Sequence, residues 1–206
     1  MIGDMQKWAP NVASIIEHAK QFHPEKEVIS RMVSGDIHRT NYDEVCIRSR
    51  KLASVLVKDG YKEGDVIATL ALNTYRHLEM YYGISGMGAV THTLNFRLHP
   101  EQAVYIINHA EDKIIFVEAP FVPILEALKD QLKTVEKYII LCDESEMPDT
   151  QLKNAISYES YIEDGDENYE WPQLKDDAAC ALCYTSGTTG NPKGVLYTHK
   201  SNILHA

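Results

Sequence analysis

Four short apolar runs separated by helix-like stretches constrain this chain more than any other feature of its sequence. Val66-Ile-Ala-Thr-Leu-Ala-Leu72, Ala89 to Leu94, Lys113-Ile-Ile-Phe-Val-Glu118 and Tyr138-Ile-Ile-Leu-Cys142 have strand length and little polar interruption. Such runs suit parallel strands buried on both faces. Helix signals lie between them. Asn41-Tyr-Asp-Glu44 reads as a helix start, with Asn41 as cap and Glu44 placed to reach back. Tyr42, Val45, Leu52, Val55 and Leu56 supply its apolar stripe, and Gly60 can stop it. A second helix is expected near Tyr75 to Met87. A third opens at Pro100-Glu101, where the missing proline N–H costs nothing. A fourth runs from Pro120 with Val122, Leu125, Leu128 and Leu132 on one face. This order predicts an α/β fold, a parallel sheet with flanking helices and right-handed crossovers.

The acidity is local. Of 30 acidic and 20 basic side chains, twelve acidic and two basic ones fall between Asp143 and Asp177, and the rest balances. No basic face offers itself to nucleic acid. The acidic stretch reads as a solvated linker with a short helix around Ile156 to Ile162. Structure resumes at Ala178-Ala-Cys-Ala-Leu-Cys-Tyr184, another buried-strand pattern. The expected organisation is therefore an N-terminal arm and first elements over 1–40, an α/β subdomain over 41–142, the linker over 143–177, and a second α/β portion starting at 178–206. Ser201 to Ala206 reads as the beginning of a helix, so the chain is expected to be truncated.

Cys46, Cys142, Cys180 and Cys183 are too scattered for a disulfide scaffold. Cys180 and Cys183 have zinc-like spacing, but three residues along a strand put them on opposite faces, and no second pair accompanies them. The N-terminus lacks the apolar core of a signal peptide, and no stretch is long enough to span a bilayer. These features fit a cytoplasmic protein.

Chemistry concentrates immediately after the last strand pattern, in Thr185-Ser-Gly-Thr-Thr-Gly-Asn-Pro-Lys-Gly194. Four hydroxyls, three glycines and a lysine suit a polyphosphate. Glycines let backbone approach a ligand, successive N–H groups form an anion nest, and Lys193 adds charge. The carboxyl end of a strand is where α/β sheets bind ligands. Sharper motifs fail. Gly187 and Lys193 have Walker-loop separation, but Pro192 and Gly194 occupy the positions of the second glycine and the hydroxyl. Ser186 lacks the flanking glycines of a nucleophile elbow.

The decapeptide, preceded by an aromatic and followed by Val195, resembles the phosphate loop of the adenylate-forming (AMP-binding) superfamily. Tyr75-Arg-His-Leu-Glu-Met-Tyr-Tyr-Gly83, Gly86-Met-Gly-Ala89, Asn95-Phe-Arg-Leu-His-Pro100 and Ile107-Asn-His-Ala-Glu-Asp112 are similar to long- and medium-chain fatty acyl-CoA synthetases. The resemblance implies the N-terminal portion of the acyl-CoA synthetase-like fold. It implies a ligase that joins a fatty acid to ATP as an acyl-adenylate, releases pyrophosphate, and passes the acyl group to coenzyme A. Ser186, Thr188, Thr189 and Lys193 would hold the β- and γ-phosphates, with backbone from Gly187 to Gly190, and Thr185 would sit near Mg2+. The family's adenine-side aromatic motif, magnesium carboxylate, ribose aspartate, hinge and C-terminal lysine are not among these 206 residues. No catalytic residue is therefore assigned, and the chain alone is expected to be inactive. Family likeness also makes a homodimer an expectation. The alternatives are a non-catalytic nucleotide-binding or dimerisation module, and a ligase for aryl or short-chain acids.

Other polar residues receive structural readings. His92 is expected to be a satisfied core or strand-end histidine, and Arg76 and Arg97 to form ion pairs. Tyr81 and Tyr82 are expected in helix packing. His199 and His205 have poor metal spacing.

Overall fold

The computed structural model describes residues 9, 11–175, 177–185 and 190–205. Seven strands form one sheet: β3 (Val66–Leu70), β4 (Val90–Thr93), β5 (Ile114–Val117), β6 (Lys137–Ile140), β7 (Ala155–Ser157), β8 (Ala179–Thr185) and β9 (Lys193–Thr198). They lie in the order β7-β6-β5-β3-β4-β8-β9. Every neighbouring pair is parallel except β8 with β9. A separate hairpin, β1 (Glu27–Arg31) with β2 (Ile37–Asn41), precedes the sheet.

Helices cover both faces, which explains the apolar runs. Ile67, Ile114, Phe116 and Ile139 face α2 (Tyr42–Lys58), α3 (Tyr75–Gly86) and α6 (Tyr158–Ile162), among Leu52, Leu56, Met80, Ile84 and Tyr158. Their neighbours Ala68, Ile115, Val117, Tyr138 and Ile140 face the opposite layer, α4 (Pro100–Ala110) and α5 (Val122–Leu128). Successive strand residues thus feed two cores, and burying each large side chain contributes about 1.5–3 kcal/mol. The expected α/β architecture stands.

Local signals act as read. Asn41 Oδ1 accepts from the Glu44 N–H at 2.9 Å, and α2 ends before Gly60, whose φ is +91°. Pro100 opens α4. Val122, Leu125, Leu128 and Leu132 are all buried, although Ala119–Phe121 forms a 3-10 turn before α5 begins. The last helix, α7 (His199–His205), follows β9 directly.

The acidic stretch differs from a solvated linker. It contributes β7 and α6, and Tyr158, Tyr161 and Ile162 enter the core. Asp166 N–H donates to Ser54 Oγ at 2.7 Å, and Lys58 Nζ donates to the Asp164 carbonyl at 2.7 Å. Gly165 presses on α2 so closely that a Cβ would lie 2.6 Å from the Lys51 carbonyl oxygen. The stretch is strapped along α2. Likewise, 178–206 does not begin a second sheet, because β8 pairs with β4.

The N-terminal segment is tied in by α1 (Ala13–Phe22). Asn11 Nδ2 donates to the Gly86 carbonyl, and Val12 N–H donates to His199 Nδ1 at 3.1 Å. Among the described residues, no helix is long and apolar enough to cross a membrane.

Candidate functional site

β8 and its antiparallel neighbour β9 flank the hydroxyl- and glycine-rich segment that follows the carboxyl end of β8. Thr185 stands opposite Lys193, and Tyr184 opposite Gly194, so the two strands form the loop's stem. Ser186, Gly187, Thr188 and Thr189 lie outside the described residues. Thr185 is exposed, and its hydroxyl donates at 3.5 Å to the Lys193 carbonyl, the limit of a hydrogen bond. Gly190 takes φ +99°, a conformation open to glycine. Lys193 is exposed, and among the described residues its amine has no hydrogen bond or ion pair. An uncommitted cation beside a stem hydroxyl can serve an anion.

Elsewhere on the carboxyl edge, an open cavity of about 870 Å3 lies between the β1–β2 hairpin and the ends of β5 and β6. Its arginines are already engaged. Arg76 Nε donates to Glu159 at 2.8 Å, Nη1 to the Leu141 carbonyl at 3.2 Å, and Nη2 to Asp143 at 2.6 Å. Arg48 donates to Glu79 at 2.7 Å and to both Glu159 oxygens at 2.9 and 3.0 Å.

Glu79 is fully buried and accepts from Tyr158 Oη at 2.9 Å. Burial pushes its carboxyl up to about 7, against the pull of Arg48 and Tyr158. Glu159, closer to solvent, moves the other way: burial would raise its pKa, but the two arginines outweigh it. Burial lowers the His38 pKa, and Arg76 and Arg48 add to the effect; the ring stacks 3.9 Å from that of Tyr75. The network ties α2, α3 and α6 to the sheet.

The expected ion pair of Arg76 is present. That of Arg97 is not: Arg97 is exposed, lies over the Phe96 ring at 5.3 Å, and has no ion pair among the described residues. His92 is only half satisfied. Its Nδ1 meets the buried Asp112 carboxylate at 2.8 and 3.0 Å, whereas buried Nε2 has no partner in the described residues. Tyr82 packs in the α1–α2 cluster, while Tyr81 is 40% exposed. Cys180 is buried against Asn202, and Cys183 lies beside Thr93 on the other face.

Sequence reading missed Glu79, Asp112 and Glu159 as partners. Each is separated from its partner by 20 to 111 residues, and no local spacing announces such pairs.

Comparisons with known proteins agree with this architecture. The AMP-binding enzyme family matches residues 16–206. Over 206 residues, the chain is 45% identical to the medium-chain-fatty-acid–CoA ligase of Ectopseudomonas oleovorans and 44% identical to the 3-methylmercaptopropionyl-CoA ligase of Ruegeria lacuscaerulensis. It spans 38% of the length of each. Among solved structures, the anthranilate CoA ligase AuaEII in complex with anthranoyl-AMP superimposes with a TM-score of 0.84 at 22% identity, covering 97% of this chain and 37% of that one. A long-chain-fatty-acid-CoA ligase from Archaeoglobus fulgidus gives 0.77 at 21% identity, covering 95% and 39%. With the motif, the sheet and a family match over nearly its whole length, this chain belongs to the AMP-binding enzymes.

Proposed function

We propose that the protein is an ATP-dependent fatty acid–CoA ligase, and that 178–206 carries its triphosphate loop. The observation that carries the reading is the loop's stem, where uncommitted Lys193 and the exposed Thr185 hydroxyl stand across from each other at a strand's carboxyl end. Ser186, Gly187, Thr188, Thr189 and Gly190 complete the donor set in sequence. Pyrophosphate gains charge as it leaves, so fixed donors at its oxygens lower the barrier. A hydroxyl is a hard neutral oxygen, and Thr185 fits as one ligand of a Mg2+ held mainly by phosphates. Mg2+ would neutralise phosphate charge there.

Identity favours aliphatic over aryl acids. Medium- and long-chain fatty acid ligases match at 45% and 41% and a 3-methylmercaptopropionyl-CoA ligase at 44%, whereas a trans-cinnamate ligase of petunia matches at 31%. The unbridged cysteines suit a reducing cytoplasm, and a homodimer is our expected assembly, to be checked by sedimentation of the full-length protein.

The test is pyrophosphate–ATP exchange by the full-length protein with acids of increasing chain length. Exchange that rises from short to long fatty acids supports the reading. Exchange only with aryl or short acids overturns the substrate; exchange with none overturns the enzyme. The 206-residue chain by itself should form no acyl-adenylate.

A further inference from the structure

Tyr184 is the last strand residue before the loop, and three independent contacts hold it. Its ring packs over Gly194 beside Leu182: a Cβ there would lie 3.0 Å from Leu182 Cδ1 and 3.2 and 3.4 Å from two Tyr184 ring carbons. Its hydroxyl lies 2.6 Å from Nδ1 of His109, in the last turn of α4, and the two rings meet edge-on at 86°. On β4, the His92 ring lies 5.2 Å away, centroid to centroid.

His92 and Asp112 are both fully buried, and with the carboxylate ionised Nδ1 is the donor between them. An apolar pair would fill the site without the desolvation that two ionisable groups incur. A buried polar pair instead fixes one ring orientation, because rotation would strand a carboxylate.

We propose that Tyr184, braced by His109 and backed by the His92–Asp112 pair, is a positioning residue that holds Thr185 and Lys193 at a fixed separation and so sets the protein's affinity for ATP. Tyr184 need not touch the nucleotide. A stem already ordered loses less freedom on binding, and that difference appears in affinity. The inference rests on the loop being the triphosphate site.

The experiment is ATP–pyrophosphate exchange in the full-length protein with Tyr184→Phe, His109→Gln and the double variant. His109 is exposed and Tyr184→Phe keeps the ring, so folding is spared. Each single variant should raise the KM for ATP roughly three- to tenfold, the worth of one hydrogen bond, with the KM for the acid and the Tm unchanged. The double variant should be no worse than either single, because both remove one contact. An unchanged ATP KM, equal rises for ATP and acid, or additive effects would overturn the proposal. Amide hydrogen exchange along Lys193–Thr198 without nucleotide supplies a second readout: faster exchange in Tyr184→Phe supports the brace and equal exchange overturns it. If the wild type shows no pyrophosphate exchange, the functional reading falls by itself, and the amide data decide whether the brace exists.

Discussion

Glu79 and His199 pull stability in opposite directions across the same pH range. Burial raises the Glu79 carboxyl from 4.5 to about 7, so between those values the native state holds the proton more tightly than the unfolded chain. Stability from this group therefore falls as pH rises through that window. His199 is fully buried, and burial lowers it from 6.5 to about 4, so there the unfolded chain binds more protons. Its contribution is complete above 6.5 and is lost as pH falls towards 4. Urea midpoints from pH 4 to 8 separate the two. Relative to wild type, Glu79→Gln should gain stability with rising pH and level off above about 7. His199→Asn, whose Oδ1 can accept from Val12 N–H, should lose its disadvantage as pH falls. Profiles parallel to wild type would contradict both assignments. Lys193 is the opposite kind of residue, exposed and without a partner among the described residues. In the full-length protein, Lys193→Ala should leave the Tm in place while slowing adenylation on the order of a hundredfold, the loss expected for one charge-stabilising donor. A Tm that drops with activity would make Lys193 structural.

At the level of the element, the chain announced β3, β5 and β6 because each is apolar on both faces, marked β4 and β8 by their apolar runs, and announced α4 through Pro100. It hid β1, β2, β7 and β9. The hairpin leaves Ile29 and Ile37 54% and 56% exposed, so no apolar alternation marks a buried side. β7 is three residues long and follows Asn154, whose φ is +52°. Helix α3 was readable as a helix, but not the reason for its glycines. A Cβ at Gly83 would stand 2.9 Å from the Ser49 carbonyl oxygen on α2, and one at Gly86 2.6 Å from the Trp171 ring. Alanine would favour the helix by about 0.8–1 kcal/mol at either position, whereas overpacking against a neighbour costs about 1–3 kcal/mol. Overpacking wins at Gly83 because the obstacle is backbone. Gly83→Ala should lower the Tm despite the better helix former, and a raised Tm would show that α2 can retreat.

Across the whole molecule, the candidate loop stands out in the sequence by its composition, while the contacts around its stem do not. His92, Asp112, His109 and Tyr184 come from three separate stretches that only the β4–β8 pairing and the end of α4 bring together. Charge shows the same limit. Counting placed the excess acidity over 143–177 but could not tell solvated carboxylates from the one that binds two arginines. Glu163, Asp164 and Glu167 are exposed, whereas Glu159 joins Arg48 on α2 to Arg76 on α3. Neutralising the exposed three should shift stability by no more than about 0.5 kcal/mol each, the usual range for surface substitutions. Glu159→Ala leaves Arg76 with the exposed Asp143 and the Leu141 carbonyl and strips Arg48 to Glu79 alone. Breaking a buried pair typically costs about 3–5 kcal/mol, and the partial exposure of Glu159 places this loss towards the lower end. Urea unfolding of the two variants decides between them. If the triple neutralisation of Glu163, Asp164 and Glu167 proves as damaging as Glu159→Ala, the stretch acts through its overall charge; if only Glu159→Ala unfolds early, that specific carboxylate, alongside the buried Tyr158, Tyr161 and Ile162, ties the stretch into the sheet's architecture.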